Sequence, residues 1–136
     1  MAYPRNAFEY QKNAVVSASP VGLIVMLYDG ALRCMARARE AMLANDLKKQ
    51  DDQLRRAQKM VIELMTSLDM SRGGDIAKNL FALYSYVTEK LVEANMRDDV
   101  EAIDDAVKVM EGLRSSWSEL DRRNRQDPVQ EVALAG

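Results

Sequence analysis

Histidine is absent from the 136 residues, and with it the commonest general base at neutral pH. Serine–histidine–aspartate and cysteine–histidine catalysis, zinc proteases and the glutamate–histidine ligand pairs of di-iron bundles are excluded on that ground. Three acidic pairs remain, Asp51/Asp52, Asp98/Asp99 and Asp104/Asp105, whose adjacent carboxylates could hold a divalent cation or carry a proton. Each pair falls at a helix beginning or between apolar stripe positions, where a carboxylate caps free N–H groups or faces water. Arg33, Arg37 and Arg39 crowd one stretch and could grip an anionic substrate, as in a small helical enzyme. The i, i+4 spacing of Arg33 and Arg37 is equally that of a solvated ridge. Gly73 and Gly74 before Asp75 lack the lysine and spacing of a phosphate loop and read as a turn. Cys34, the single cysteine, permits no intramolecular disulfide and sits in an apolar stretch as a small hydrophobe. No catalytic residue, metal ligand or cofactor is assigned.

The elements around these residues are all helical. Ser19 followed by Pro20 is a start signal, a capping hydroxyl before a proline at the first helical position. It predicts a first helix over about 20–43, with Ile24, Tyr28, Ala31, Met35, Ala38 and Met42 inward at steps of four and three. Asn45 and Asp46 mark a turn and a new cap. A second helix over about 46–69 turns Leu54, Ala57, Val61, Leu64 and Leu68 inward. Asp75 is the expected cap of a third helix, which carries Ile76, Leu80, Leu83, Val87, Leu91 and Ala94 on one face and stops near Asn95. Asp98 with Glu101 three residues on resembles a capping box. The fourth helix follows with Val100, Ile103, Val107, Met110, Leu113, Trp117 and Leu120 inward, and fades at Arg122. Short connections make successive helices antiparallel. The expected fold is all-α: one domain over 1–136, with an N-terminal arm or short helix over 1–18, an antiparallel four-helix bundle over 19–121, and a flexible tail over 122–136.

Composition agrees with a globular chain, 48% hydrophobic and 29% charged, with six glycines and three prolines. A formal charge of −2 removes the electrostatic footprint of nucleic-acid binding. No apolar run reaches a membrane span, so no membrane insertion is expected.

The informative feature is apolar surplus. A bundle helix needs about three apolar positions in seven, yet residues 23–28 read LIVMLY, and residues 80–87 are apolar but for Ser85. Such a helix is either deeply buried or has a second partner, and grooves between helices suit an amphipathic helix. Nine methionines fit a surface that adapts to its client. The competing reading is that methionine and tyrosine only fill the core. From Asp98 to Asp121 the chain carries eight acidic and two basic residues, a solvated face or a site for a basic partner.

The string YQKNAVVSASP at 10–20, followed by LIVMLYDGA at 23–31, resembles the start of the FliS family of flagellar secretion chaperones. The resemblance continues through Ala57 and Gln58 to Glu63 and Leu64, through Ser67 to Asp69, and through GGDIAKNL at 73–80. LYSYV at 83–87, LVEAN at 91–95, Asp98 and Asp99 to Ile103, Leu113 and Arg114, and Trp117 complete it. It covers about residues 3–120, with blocks in matching order and spacing. Gly22 departs from it, since many members carry an acidic residue or glutamine there to complete a capping box, and the last sixteen residues match nothing specific.

What the resemblance implies is a cytoplasmic, non-enzymatic chaperone of the bacterial cytosol. Its partner is the C-terminal segment of flagellin at 1:1, disordered when free and helical around the chaperone, kept from premature polymerisation and competent for flagellar type III secretion. A flagellar export-gate component and flagellar regulators are further partners it raises. Ordering such a client costs ~2 to 5 kcal/mol and has to be offset by an interface on the order of 1,000 to 3,000 Å². The expected partner-binding residues are Phe8 and Tyr10 in the arm, Leu23, Leu27 and Tyr28 on the first helix, and Phe81 and Tyr84 on the third. Tyr10 rests on the resemblance, the others on surplus hydrophobicity. A generic helical-bundle adaptor or dimerisation module stays open beside this reading.

Overall fold

The structure, a computed structural model, describes residues 20–126. Four helices follow one another: α1 Pro20–Leu43, α2 Leu47–Thr66, α3 Gly74–Arg97 and α4 Val100–Gln126. They close into a ring in which α1 packs on α2 and α4, and α3 packs on α2 and α4, leaving α1 and α3 diagonal. The short connections make each helix antiparallel to the next. Among the described residues the protein is the expected all-α four-helix bundle.

Local chemistry sets the helix ends. Asn45, at φ 59, reverses the chain, and the Asp46 carboxylate accepts the Lys49 N–H at 3.2 Å to cap α2. After Thr66 the chain tightens around Asp69, whose carboxylate accepts the Ser71 and Arg72 backbone N–H groups at 3.1 Å each. Asp75 is not the cap of α3 but lies within its first turn. Gly73 holds the cap position, and Gly74 adopts φ +53, a conformation that glycine enters without steric cost.

The expected Asp98–Glu101 capping box does not form. Asp98 instead ends α3 in the left-handed region at φ 52, its N–H donating to the Ala94 carbonyl. Asp99 is the side chain that caps α4, accepting the Glu101 and Ala102 N–H groups at 3.0 and 3.4 Å. The third helix thus runs two residues beyond Asn95, and α4 continues to Gln126 with Asp121 and Asn124 buried. Residues 122–126 are therefore helical, contrary to the expected tail.

The core is built from the predicted faces of α1, α2 and α4: Tyr28, Met35, Leu54, Val61, Leu64, Ile103 and Met110 are buried, with Ala31, Ala38, Ala57 and Ala106 between them. A Cβ on Gly30 would come within 2.8 Å of Met60 Sδ, so α1 and α2 approach closely there. On α3 the inward face is rotated from the expected one. Ala77, Tyr84, Val87, Leu91 and Ala94 face in, while Ile76 stands 73% exposed and Leu83 38%. Interhelical pairs fix the register. Arg39 donates to both Asp104 oxygens at 2.8 and 3.3 Å and Arg114 to Asp29 at 2.5 Å, locking α1 to α4. Lys90 reaches Asp105 at 3.7 Å between α3 and α4.

Candidate functional site: the groove between α2 and α3

On α3, Phe81, Ser85, Thr88, Val92 and Met96 recur at steps of four and three and form a row flanking the buried face. Opposite them α2 presents Met65, with the exposed Ile62 one turn before it on the same helix. Met65, Ser85, Thr88, Val92 and Met96 line an open cavity of about 570 Å³, together with the charged side chains of Glu89, Glu93 and Arg97. Phe81 is 43% exposed, Ile62 46% and Met96 79%.

The two polar side chains of the row spend their hydrogen bonds locally. Ser85 Oγ donates to the Phe81 carbonyl at 2.8 Å and Thr88 Oγ1 to the Tyr84 carbonyl at 2.9 Å. Covering these two hydroxyls therefore strands no donor, and an apolar row runs between the charged side chains of Glu89, Glu93 and Arg97. At the far end a polar chain ties the helices together. Asp51 accepts from Arg55 and from Asn95, and Gln50 donates to Asn95 at 3.3 Å and Asp98 at 2.8 Å. Along α3 the row from Phe81 to Met96 extends roughly 22 Å at 1.5 Å per residue. That is the length of an amphipathic helix of about four turns.

The expected binding residues divide. Phe81 is exposed on α3 one turn before Ser85, the first α3 residue of the cavity lining. Leu23 is partly exposed and Leu27 half-buried on α1, a helix diagonal to α3 and away from this groove. Tyr28 and Tyr84 are corrected: they are buried at 0% and 1%, with a hydroxyl–hydroxyl hydrogen bond of 2.5 Å across the bundle. An aromatic ring with one polar tip can be buried once that tip finds a partner, and each supplies the other's. Burial pushes both phenols above their usual range, and the neighbouring Trp117 indole acts in the opposite sense. Phe8 and Tyr10 lie outside the described residues.

Sequence reading missed Ile62, Met65, Val92 and Met96. Their signal was present, since each is an apolar residue outside the core stripe assigned to its helix.

The residues considered for chemistry are structurally occupied. Asp52 pairs with Arg56, and Cys34 is buried with its thiol pushed up by that burial. Arg33 and Arg37 form an exposed ridge. Among the described residues no group of three histidine, cysteine, aspartate or glutamate side chains could hold a metal, and no helix is long and apolar enough to cross a membrane. The acidic excess of α4 is largely answered within the chain, by Arg39, Lys90, Arg122, Arg123 and Arg125.

The family described as flagellar protein FliS matches residues 1–124. The chain is 36% identical over 110 residues to the flagellar secretion chaperone FliS of Salmonella typhimurium, covering 80% of this chain and 82% of that protein. It is 36% identical over 121 residues to the flagellar secretion chaperone FliS of Escherichia coli, covering 87% and 89%. A crystal structure of a bacterial flagellar chaperone shares the fold, with a TM-score of 0.72 at 18% identity over 88% of this chain and 97% of that one. A helical bundle without catalytic machinery in its described residues, matched by this family over nearly its whole length, belongs to the FliS family of flagellar secretion chaperones and is a chaperone rather than an enzyme.

Proposed function

We propose that this protein binds the disordered C-terminal segment of flagellin in the bacterial cytoplasm at 1:1. In doing so it prevents premature polymerisation and keeps flagellin competent for flagellar type III secretion. The observation that carries the reading is the α2–α3 groove, an exposed apolar row on a rigid helix pair with its hydroxyls already bonded to backbone. An amphipathic client helix laid there hides its apolar face and leaves no chaperone donor unpaired. Phe81, Val92 and Met96 are the contact residues in this groove. Leu23 and Leu27 serve a separate contact on α1, with Phe8 and Tyr10 of the N-terminal segment as further contacts. Tyr28 and Tyr84 contribute by holding α3 in place. A flagellar export-gate component and flagellar regulators are further partners for the loaded or free chaperone.

Calorimetry of the full chain with a flagellin C-terminal peptide tests this. Truncating an aromatic anchor in a desolvated contact costs about 2 kcal/mol or more, so Phe81→Ala weakens binding about 30-fold. Val92→Glu places a charge against the client's apolar face and abolishes it. Tyr10→Ala weakens binding as well. Wild-type affinity in both Phe81→Ala and Val92→Glu removes the groove from the mechanism.

A further inference from the structure

Arg39, Arg55, Arg56, Arg97 and Arg114 each hold a carboxylate of their own chain. Arg33 and Arg37, exposed one turn apart on α1, hold none among the described residues. Like charges at that spacing on a helix repel, and no carboxylate contacts either guanidinium to relieve it. Arg33 also turns back along its own helix. A Cβ placed on Gly30 would lie 4.0 Å from Arg33 Nη2 and 2.8 Å from Met60 Sδ, so the guanidinium sits on the α2 side, beside a thioether.

The approach of Gly30 to Met60 sets the register of α1 against the antiparallel α2. One turn on along α1 is level with one turn back along α2, which puts Arg33 level with Arg56 and Arg37 level with Gln53. The Cys34 thiol beneath them senses the convergence. Burial pushes it up, while the guanidiniums of Arg37, Arg56 and Arg33 act against that rise from two helices. Lys59, exposed one turn on from Arg56, is a further cation without a carboxylate among the described residues. The acids of this side are Asp52, held by Arg56 at 3.1 Å, and Glu40 and Glu63 at the two ends of the patch. The α1–α2 face therefore carries a compact cluster of unanswered positive charge around the half-buried Met60.

We propose that the α1–α2 face is a docking surface for an acidic helical segment of another protein, whose carboxylates pair with Arg33, Arg37 and Arg56 over Met60. Charge complementarity and spacing identify the occupant. Arg33 and Arg37 rise about 6 Å along α1, the separation of two carboxylates one turn apart on a partner helix. Each guanidinium fork takes a carboxylate through two N–H groups, and Arg56 reaches in from α2 roughly 10 Å away. The patch is too small for an extended polyanion. A duplex or a bilayer laid over it would also meet Glu40 and Glu63, in a chain whose net charge is already −2. A single acidic helix fits between those two glutamates. The face lies on the other side of α2 from the α2–α3 groove, so its test is independent of client binding.

The probe is a fluorescein-labelled, alanine-based helical peptide of about 15 residues with glutamate at every fourth position, titrated into the full chain and read by anisotropy and by amide chemical-shift mapping. Wild type binds it with an affinity that falls as salt rises, and the shifted amides cluster around Arg33, Arg37 and Arg56. Arg33→Glu with Arg37→Glu weakens binding at least about tenfold and melts no lower than wild type, because neither arginine holds a partner within the chain. Arg33→Lys with Arg37→Lys keeps the charge, loses the fork and falls between the two. No binding at low salt overturns the proposal, as does an unchanged affinity in the double glutamate variant or a set of shifts centred elsewhere. A double glutamate variant that melts well below wild type assigns the arginines to the fold and overturns it too. Tighter binding of duplex DNA or phosphatidylserine vesicles than of the peptide overturns the choice of an acidic protein segment.

Discussion

The hydroxyl pair between Tyr28 and Tyr84 joins diagonal helices through the buried core, and removing one hydroxyl should cost more than removing both. In Tyr28→Phe the Tyr84 hydroxyl stays buried and loses its 2.5 Å partner. A buried hydroxyl so stranded costs about 1 to 3 kcal/mol. The Trp117 indole beside both phenols can offer a replacement partner, which sets the expectation near the lower end, about 1 to 2 kcal/mol. Tyr84→Phe should cost a similar amount. The double variant buries the same rings with neither hydroxyl to satisfy, and should lie within about 1 kcal/mol of wild type once the unpaired indole is included. The two single losses together then exceed the double by a coupling of about 1 to 4 kcal/mol. Urea unfolding followed by far-ultraviolet circular dichroism measures all four corners, provided the m-value is constant. Losses that add to within about 0.5 kcal/mol would show that the hydroxyls do not act as a pair.

Alkaline pH should probe the same residues. Both phenols are raised above the reference value of 10.0 by burial, so above that pH the unfolded chain releases protons that the folded chain retains. Stability is full below pH 10 and falls as pH rises, by up to about 1.4 kcal/mol per pH unit for each tyrosine; the Phe/Phe variant should lose this component in urea titrations between pH 9 and 11. Gln53 is 8% exposed and its carbonyl oxygen has no partner, so Gln53→Met should stabilise the bundle by about 1 kcal/mol in the same assay. Unchanged or lower stability there would mean that the carbonyl is satisfied by water. Asp99→Ala removes the cap of α4 and should cost about 1 kcal/mol; Glu101→Ala, expected from the sequence to complete a capping box, should cost little, and the reverse order in thermal melts would restore that box.

Much of this architecture was legible because helix periodicity is local. Tyr28, Met35, Leu54, Val61 and Met110 recur on single faces, so their burial followed from spacing alone. The helix starts at Pro20 and after Asp46 followed from capping chemistry that needs no neighbour. Asp98 and Asp99 were harder. Either can cap a helix, and the left-handed turn that ends α3 decides that Asp98 closes one helix while Asp99 opens the next.

The sequence by itself determined four amphipathic helices, the absence of histidine chemistry, a surplus of apolar residues and the motifs of one chaperone family. Only the tertiary structure decided where that surplus lies. On α3 two apolar stripes compete, one through Ile76 and Leu83 and one through Ala77 and Tyr84, and their Cα positions lie too close around the helix for periodicity to separate. Packing chose the second because the Tyr28 hydroxyl could satisfy that of Tyr84 across the core. With Tyr84 turned inward, Phe81, Val92 and Met96 were carried to the α2 side and Leu83 to the α4 side. Which apolar residues stay available to a partner is thus a property of how the helices satisfy one another, and no single helix encodes it.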